Sequence, residues 1–462
     1  MKHSSSSLPY AIAMVALVAA AGCSTLPTIA PNTTDSKQAV HLEGAGGPLS
    51  AQQSKAILAK LASRSEETNI FERHLALEEG IVGTPLVVGN KVTLLQDGPA
   101  TYQAMFDAIA RARDHIHMET YIIEDDDVGR KFADALIAER AKGVHVTFIY
   151  DSAGTSGTPK EFFTRMAEAG IDVLEFNPLN PLELKKGWTP NQRDHRKLLV
   201  VDGQVAFVGG VNISSVYSAG SFSRSSKRHA DGSPQWRDTH LRIEGPVVAE
   251  FQKLFLATWE KQKGAALQAR NSFPLPASKG KEVVRAISSS PDEPFSLVYA
   301  TLLSAIGSAE TQVHVTNAYF IPDPQMLAAL EAAAQRGVDV KLILPAKTDS
   351  WLVFHAGRSY FDDLLSAGVK IYARRDAMLH AKTALIDGVW STIGSSNLDW
   401  RSFLHNEEVI AVVVGQEFGA QMETMFEADM AASELITLES WKERPLGDRA
   451  RELAARMWKY WL

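Results

Sequence analysis

An internal repeat constrains the fold of this 462-residue chain more than any other feature of its sequence. Two segments carry the same polar residues at the same spacing, and the second copy lies 185 residues after the first throughout. The matched positions are His195 and His380, Lys197 and Lys382, Asp202 and Asp387, and Asn212 and Asn397. Such a gapless match indicates an internal duplication. We therefore expect two copies of one domain, each bringing one histidine and one lysine to a shared phosphate site.

The segments that flank these motifs repeat as well. A helical stretch leads into the alternating apolar run 115–121, and another leads into the run 312–319. Further along, Gly143 and Gly337 each end an alanine-rich stretch just before a run of β-branched residues. Glycine at a helix end followed by such a run is typical of a helix leading into a strand. The alternation predicts βαβ units in both halves and therefore an α/β fold.

Length and composition agree with two domains. With 45% hydrophobic residues, a chain of this length can bury two cores, and we predict a first domain over residues 81–275 and a second, with a C-terminal helix, over 276–462. The formal net charge is −7. Proteins that bind along phosphate backbones usually have a basic excess, so nucleic acid is not an expected partner. A local basic groove would be the exception.

The N-terminus has the features of an export signal. Lys2 precedes a short apolar run from Ala11 to Ala21, too short to span a bilayer. The run ends in Ala-Ala-Gly-Cys23, which resembles the lipobox of bacterial lipoproteins, where the cysteine is lipidated. Cys23 is the single cysteine of the chain, and the alternative is an unmodified thiol beside an ordinary cleavage site.

From this segment we predict a signal peptide over residues 1–22, then a lipid-anchored tether and lead-in over residues 23–80. Lipidated at Cys23, the protein would be held in the bacterial cell envelope and face the periplasm. Ser24 favours the outer membrane, if the cell has one.

Two imidazoles and two ammonium groups supply what double displacement at a phosphodiester requires: a neutral nucleophile, a proton donor and cations for the phosphate oxygens. On a strand, the histidine and lysine of each His-x-Lys pair would point to one face. Asn212 and Asn397 follow glycines that allow close backbone approach, so their amides can donate hydrogen bonds to phosphate oxygens. Carboxylates and cysteines show no ligand spacing, so we expect neither a catalytic metal nor a cofactor.

Each histidine also needs a carboxylate that fixes its tautomer. Asp202 and Asp387 belong to the repeat, but each precedes a glycine, and a role in an Asp-Gly turn is an equal alternative. Asp238 and Glu408, which follow the two asparagines, are better candidates. We expect these two carboxylates to pair with the histidines.

The doubled motif resembles the phospholipase D superfamily, and the residues around it resemble bacterial cardiolipin synthases in the segments 194–203, 319–322 and 394–403. The resemblance extends over most of the chain after the lead-in. It implies two duplicated α-β-α domains related by a pseudo-two-fold axis, with one active site at their interface. It also implies that His195 forms a phosphohistidine, while His380 protonates the leaving alcohol and later activates the acceptor. The repeat makes the two histidines nearly equivalent, so the motifs leave this division of roles open.

Three activities use this set of residues. A phosphatidyltransferase would pass a phosphatidyl group to phosphatidylglycerol and form cardiolipin, a phospholipase D would pass it to water, and a nuclease would cleave nucleic acid. The motifs do not separate the three. The acidic net charge disfavours the nuclease, while the lipid anchor and the resemblance favour the transferase. The expected partners are therefore phosphatidylglycerol, phosphatidylethanolamine as a further candidate donor, and a membrane surface.

Two segments outside the motifs have apolar and basic residues together. The insertion before His195 contains the run 178–188, and the C-terminus ends in the aromatic run 457–461 beside Arg456 and Lys459. Each is compatible with a membrane interface. Packing of each segment against its own domain is the alternative.

Overall fold

The structure, a computed structural model, describes residues 26, 39–63, 68–179, 189, 191–218, 235–267 and 272–461. The predicted signal peptide, Cys23 and residues 180–188 of the 178–188 insertion lie outside the described residues. Among the helices that are described, none combines the length and the apolar character needed to cross a bilayer.

The strands and helices are numbered in chain order. The strands are β1 (Leu42–Gly44), β2 (Gly47–Pro48), β3 (Leu86–Gln96), β4 (His115–Thr120), β5 (His145–Asp151), β6 (Asp172–Phe176), β7 (Arg193–Asp194), β8 (Lys197–Val201), β9 (Val205–Gly209), β10 (Trp236–Arg237), β11 (Thr239–Glu244), β12 (Glu282–Ser289), β13 (Gln312–Asn317), β14 (Asp339–Pro345), β15 (Lys370–Arg374), β16 (Met378–Leu379), β17 (Lys382–Ile386), β18 (Trp390–Gly394), β19 (Asn406–Val414) and β20 (Ser433–Ile436). The α-helices are α1 (Ala51–Ala62), α2 (Leu75–Ile81), α3 (Asp97–Ile109), α4 (Asp127–Ala141), α5 (Lys160–Glu168), α6 (Val248–Lys261), α7 (Leu297–Ser308), α8 (Pro324–Gln335), α9 (Trp351–Arg358), α10 (Phe361–Ser366), α11 (Trp400–Leu404), α12 (Gln416–Ala431), α13 (Leu438–Lys442) and α14 (Leu446–Arg456). A π-helical turn (Ile70–His74) and two 3₁₀ turns (Ser215–Tyr217 and Lys459–Trp461) complete the described elements.

Two sheets with the same strand order form the centre of the molecule. The first repeat has the order β6-β5-β4-β8-β9-β11-β3. The second has the corresponding order β15-β14-β13-β17-β18-β19-β12. Antiparallel pairing of β3 with β12 joins the two sheets. The prediction of two duplicated α/β domains is therefore confirmed.

Local sequence explains where these elements begin and end. Asp126 caps α4 by accepting hydrogen bonds from the backbone amides of Val128 and Gly129. The helical stretches before β5 and β14 are followed by Gly143 and Gly337 at φ +97° and +94°, the left-handed conformation that glycine favours. The predicted helix-to-strand transitions therefore lie where expected.

An apolar core lies between the two repeats. Helices α6 and α12 contribute Phe251 and Phe418, and these pack with Leu198 of β8 and Leu385 of β17, all fully or almost fully buried. Burial of such side chains stabilises the folded state by roughly 1.5 to 3 kcal/mol each relative to full exposure. A shared core of this kind holds the motifs of the two repeats in one fixed arrangement.

The predicted tether differs from the structure from Leu42 onward. Strand β1 pairs with β3, and the buried Ser54 hydroxyl of α1 accepts a hydrogen bond from the Leu42 amide, so both elements belong to the folded body. Ser50 and Gln53 form a capping box that starts α1. The predicted boundary at 275/276 falls in the connection between α6 and β12 and stays a prediction.

Candidate active site

The two lysines begin equivalent strands, and the two histidines lie just before those strands. Lys197 is the first residue of β8 and Lys382 the first of β17, so His195 and His380 belong to the preceding connections. The expected placement of the whole His-x-Lys pair on a strand is therefore wrong by two residues. Each lysine Nζ donates to the backbone carbonyl of the histidine two residues earlier, at 2.6 Å in the first repeat. Both lysines are buried.

Each histidine is hydrogen-bonded to a carboxylate of the other repeat. His195 Nδ1 lies 3.0 and 3.1 Å from the two carboxylate oxygens of Glu408, and His380 Nδ1 lies 2.7 Å from Asp238 Oδ2. The expected pairing of these carboxylates with the histidines is present, and it is exchanged between the repeats.

Two short parallel strand pairs produce this exchange. Strand β7, just before His195, pairs with the start of β19, and β16, just before His380, pairs with β10. The two contacts correspond by the repeat: the His195 amide donates to the Glu407 carbonyl at 3.0 Å, and the His380 amide donates to the Arg237 carbonyl at 2.8 Å. In both cases the acceptor residue directly precedes the carboxylate that holds the histidine.

The carboxylates orient the imidazoles. When Nδ1–H donates to a carboxylate, the lone pair stays on Nε2, which is the nitrogen available to a substrate. Glu408 is itself held by the Ser395 hydroxyl at 2.5 Å and the Asn406 amide at 3.2 Å, and Asp238 accepts from the Thr239 backbone amide at 2.7 Å. Burial alone would raise the pKa of Glu408, but His195, Lys197 and Ser395 lower it to about 2.

Burial and neighbouring charges keep both histidines neutral at pH 7. Burial lowers the pKa of His195 to about 4; Glu408 opposes this shift, while Lys197 and Lys382 add to it. Burial likewise lowers the pKa of His380 to about 4, with Lys382 and Lys197 adding to the effect against Asp238. Since each histidine senses both lysines, the four groups form one electrostatic site. A bound phosphodiester would place its negative charge beside the two lysines and offset their mutual repulsion.

Burial also lowers the pKa of the two lysines. The pKa of Lys197 falls to about 7 and that of Lys382 to about 8, although the carboxylates Glu408 and Asp238 oppose the shift in both. Mutual repulsion adds to the lowering at Lys197. The positive charge that the two lysines present to a bound phosphate therefore depends on pH in the neutral to weakly alkaline range.

We predict that this dependence weakens substrate binding on the alkaline side. As pH rises through 7 to 8, the lysines lose the protons that hold an anionic phosphate, so KM rises about tenfold per pH unit and more steeply once both are neutral. Steady-state rates between pH 5 and 10 measure the effect. Lys382→Arg serves as the comparison, because a guanidinium keeps its charge over this range. A profile that stays flat to pH 9 in the unchanged protein would contradict the prediction.

Aromatic side chains surround the histidines. Tyr121 meets His195 edge-on at 4.9 Å between ring centroids, with Lys197 Nζ 5.0 Å from the Tyr121 centroid. Trp236 lies 5.2 Å and Tyr319 6.3 Å from His380 by the same centroid measure. These rings were not predicted as part of the site, although Tyr121 and Tyr319 end the equivalent repeated runs 115–121 and 312–319.

The two asparagines lie where the repeat predicts, three residues after the ends of β9 and β18. Asn212 donates to the Tyr217 hydroxyl at 3.2 Å, and that hydroxyl lies 3.1 Å from His380 Nδ1. The amide oxygens of Asn212 and Asn397 are buried without a hydrogen-bond partner among the described residues. An amide oxygen only accepts, so these two atoms are available to a hydrogen-bond donor on a ligand and not to a phosphate oxygen. The predicted role of the two asparagines in holding the phosphate stays a prediction.

Asp202 and Asp387 are not part of this site, and their predicted catalytic role is wrong. They directly follow β8 and β17, so about 17 Å of strand separates them from Lys197 and Lys382 at the catalytic ends of these strands. Both adopt positive φ, +53° and +49°, in hairpin turns that continue into Gly203 and Gly388. Asp202 accepts hydrogen bonds from three backbone amides of residues 113–115, at 2.8 to 2.9 Å. Asp387 does the same for residues 310–312. The turn alternative is therefore correct.

These hydrogen bonds predict that replacing Asp387 lowers the stability of the fold and leaves the catalytic rate unchanged. Asp387→Ala leaves three backbone amides and the Thr68 hydroxyl without their acceptor and places alanine at positive φ, so the free energy of unfolding should fall by about 3 kcal/mol. Asp387→Asn, which keeps one acceptor oxygen and tolerates this φ, should lose about half as much. Denaturant unfolding measures both changes. The turnover number per folded molecule should match that of the unchanged protein. A hundredfold loss of turnover would show that Asp387 has a catalytic role.

A metal centre is not apparent in the described part of the chain, where no three or more His, Cys, Asp or Glu side chains come together in a group that could hold an ion. The expectation of metal-free chemistry stays a prediction.

Comparison with known proteins agrees with this geometry. A family model described as cardiolipin synthase, phospholipase D-like domain, matches residues 105–220 and 302–430. The chain is 36% identical over 375 residues to a cardiolipin synthase of Alkalihalophilus pseudofirmus, covering 81% of this chain and 72% of the relative. It is 35% identical over 385 residues to a cardiolipin synthase of Geobacillus sp. (strain WCH70), with 83% and 74% covered. The chain therefore belongs to the cardiolipin synthase family of phospholipase D-like proteins.

A solved structure shares the fold. The crystal structure of phosphatidylserine synthase from Haemophilus influenzae Rd KW20 superposes with a TM-score of 0.61 at 12% sequence identity. The match covers 84% of this chain and all of the other. The likeness confirms the architecture of the two repeats.

Proposed function

We propose that this protein is a phosphatidyltransferase that forms cardiolipin by passing a phosphatidyl group to a hydroxyl of phosphatidylglycerol. The observation that carries the proposal is the pair of buried, neutral histidines, each held at Nδ1 by a carboxylate and flanked by a buried lysine, in a chain of the cardiolipin synthase family. That set fits double displacement at a phosphodiester.

In the first step of the proposed reaction, Nε2 of His195 attacks phosphorus, and the bond from phosphorus to the leaving alkoxide breaks. Glu408 accepts a hydrogen bond from Nδ1–H of His195 and balances the positive charge that develops on the imidazole. His380 takes up a proton from solvent as the negatively charged phosphate binds, and its Nε2–H then gives this proton to the alkoxide. Lys197 and Lys382 hold the phosphate oxygens.

In the second step, neutral His380 removes the proton from the acceptor hydroxyl, and the acceptor oxygen attacks phosphorus. The bond from phosphorus to nitrogen breaks, which frees His195 and leaves His380 protonated for the next cycle. Water in place of the lipid hydroxyl would yield phosphatidic acid, and the same residues would act. The relatives' names support the lipid acceptor.

We also propose that the protein is anchored in the bacterial cell envelope by a lipid on Cys23 and faces the periplasm, in the outer membrane where the cell has one. The support is the sequence Ala-Ala-Gly-Cys-Ser at positions 20–24 after a short apolar run. Phosphatidylglycerol is the proposed acceptor, and either phosphatidylglycerol or phosphatidylethanolamine the donor.

Lipid mass spectrometry tests the activity. The purified chain is incubated with phosphatidylglycerol vesicles, with and without phosphatidylethanolamine, beside His195→Ala, His380→Ala and the exposed control His41→Ala. Cardiolipin formed by the unchanged protein and the control, and by neither site variant, is the expected result. A rise in cardiolipin on adding phosphatidylethanolamine would identify it as a donor. Phosphatidic acid alone would make the protein a hydrolase, and the absence of any lipid product would overturn the proposal.

A further inference from the structure

Exposed apolar side chains are concentrated on one surface of the second repeat. In the part of the chain that the structure describes, ten large apolar side chains are exposed, and six of them belong to α9 and the segment 446–460. These six are Trp351, Leu446, Leu453, Met457, Trp458 and Tyr460, with 42% to 80% of each exposed. We call this set the C-terminal apolar surface. Grouped exposure of this kind is typical of an interaction site rather than of a solvated face.

Helix α14 turns its apolar stripe outward. Leu446, Leu453 and Met457 are seven and four residues apart along the chain, which places them on one face of the helix. The buried Ala455 lies on the opposite face. Glu452 is also buried, and Arg444 and Arg358 approach its carboxylate at 3.0 and 3.6 Å. The helix is therefore fixed to the body by its other side, and its apolar side stays unpartnered in the described structure.

This surface borders the active site. Trp351 begins α9 two residues after Asp349, whose carboxylate accepts a hydrogen bond of 2.6 Å from the Tyr319 hydroxyl, and the Tyr319 ring faces His380. Tyr460 packs on Trp400, with 4.7 Å between ring centroids, and Trp400 follows Asn397 by three residues. Trp351 is therefore two residues along the chain from a side chain that holds Tyr319, and Tyr460 packs on a ring three residues from Asn397.

The charge around the surface has the sign that attracts an anionic partner. Residues 442–460 contain six basic and three acidic side chains, a net charge of +3, although the chain as a whole carries −7. Lys459 Nζ lies 4.9 Å from the centroid of the Tyr460 ring. Exposed Trp, Tyr and Leu beside Lys and Arg are typical of segments that lie in the interface of a bilayer with anionic lipids.

We propose that the C-terminal apolar surface docks on a bilayer with anionic headgroups and so holds the opening of the active site at headgroup level. The apolar stripe of α14, Trp351 and Trp458 enter the acyl boundary, while the basic side chains contact phosphate groups. Docking would bring the active site to the bilayer that holds its lipid substrate, and in this respect alone it rests on the proposed function. Docking itself needs no turnover.

Vesicle partitioning tests the docking. The full chain carries Cys23→Ser in every sample, so that no lipid anchor contributes and the apolar run 11–21 contributes equally to all samples. It is sedimented with vesicles of phosphatidylglycerol and phosphatidylcholine or of phosphatidylcholine alone. Leu453→Glu with Met457→Glu should lower the partition coefficient on the anionic vesicles at least about tenfold, since each buried apolar side chain is worth roughly that factor. Phosphatidylcholine alone should bind the parent chain more weakly.

The matched control uses Phe273→Glu with Leu275→Glu. These residues are also exposed, but they lie beside the Gly203 turn, at the end of β8 opposite Lys197. The control should partition like the parent. Circular dichroism and thermal unfolding verify that both double variants fold, which is expected because all four side chains are exposed.

Equal partitioning of the two double variants would overturn the inference. It would also be overturned if the parent chain formed a dimer without lipid that Leu453→Glu with Met457→Glu dissociates, since the surface would then bind a second copy. Turnover distinguishes this failure from that of the proposed function: with a short-chain soluble phosphatidylglycerol the docking variant should keep its transfer rate, while transfer on vesicles falls. A parent chain that binds vesicles but transfers nothing would refute the proposed function alone.

Discussion

Replacement of His195 or of His380 by asparagine is expected to lower phosphatidyl transfer by a factor of about 10⁴ or more, because each imidazole acts at its own Nε2 and neither neighbouring side chain can take its place. Asparagine keeps a polar side chain of smaller volume in the buried position. Thermal unfolding and circular dichroism verify the fold of each variant. Radiolabelled or mass-resolved lipid products measure the residual rate.

The two variants should nevertheless differ with an activated substrate. The leaving group of a nitrophenyl phosphodiester is nitrophenolate, which needs no proton. His380→Asn should therefore still allow His195 to attack phosphorus. The second step lacks its base in this variant, and a phosphorylated His195 should accumulate and be found in the peptide that contains it. His195→Asn should give no adduct. An adduct on His380 in the His195→Asn protein, with none on His195 in the other, would exchange the two roles.

Much of the fold follows from local sequence patterns. The constant offset of 185 residues, the glycines at helix ends and the β-branched runs predicted two copies of one α/β domain, and the strand orders of the two sheets agree. Each of these signals is a pattern of residue types that can be read along the chain without knowing which segments meet in space. They also located the histidines, lysines and asparagines, because those residues lie at the ends of repeated strands.

The exchange of carboxylates could not be predicted in this way. His195 and Glu408 are 213 residues apart, and His380 and Asp238 are 142 apart. Their pairing depends on β7 and β16 crossing to the other repeat, and each of those strands is only two residues long. Asp238 and Glu408 are separated by 170 residues rather than 185, because the first repeat has a longer connection after Asn212. The gapless match therefore did not include them.

The repeated aspartates keep the spacing of the repeat and yet do not belong to the site. Asp202 and Asp387 satisfied the 185-residue spacing as well as the histidines did, yet they cap backbone amides at the far ends of the same strands. A duplication copies the turns of a domain together with its catalytic groups. Spacing alone therefore cannot separate a side chain that reacts from one that holds a hairpin.

The exchanged carboxylates lead to the second prediction with a large effect. Glu408→Gln and Asp238→Asn should each lower kcat by about 10² to 10⁴, because an amide can hold the imidazole in the wrong tautomer and cannot balance its positive charge. Both carboxylates are fully buried and hydrogen-bonded, so unfolding curves must accompany the rates. The structure predicts that the two losses fall on different steps.

Burst kinetics with the nitrophenyl phosphodiester separate those steps, since formation of the adduct depends on His195 and its breakdown on His380. Glu408, from the second repeat, holds His195, so Glu408→Gln should slow the burst and leave breakdown nearly unchanged. Asp238, from the first repeat, holds His380, so Asp238→Asn should keep a fast burst and slow the steady state that follows. Pairing within each repeat would produce the reverse assignment. A loss shared equally by both steps in both variants would mean that the carboxylates shape the site as a whole rather than act through separate histidines.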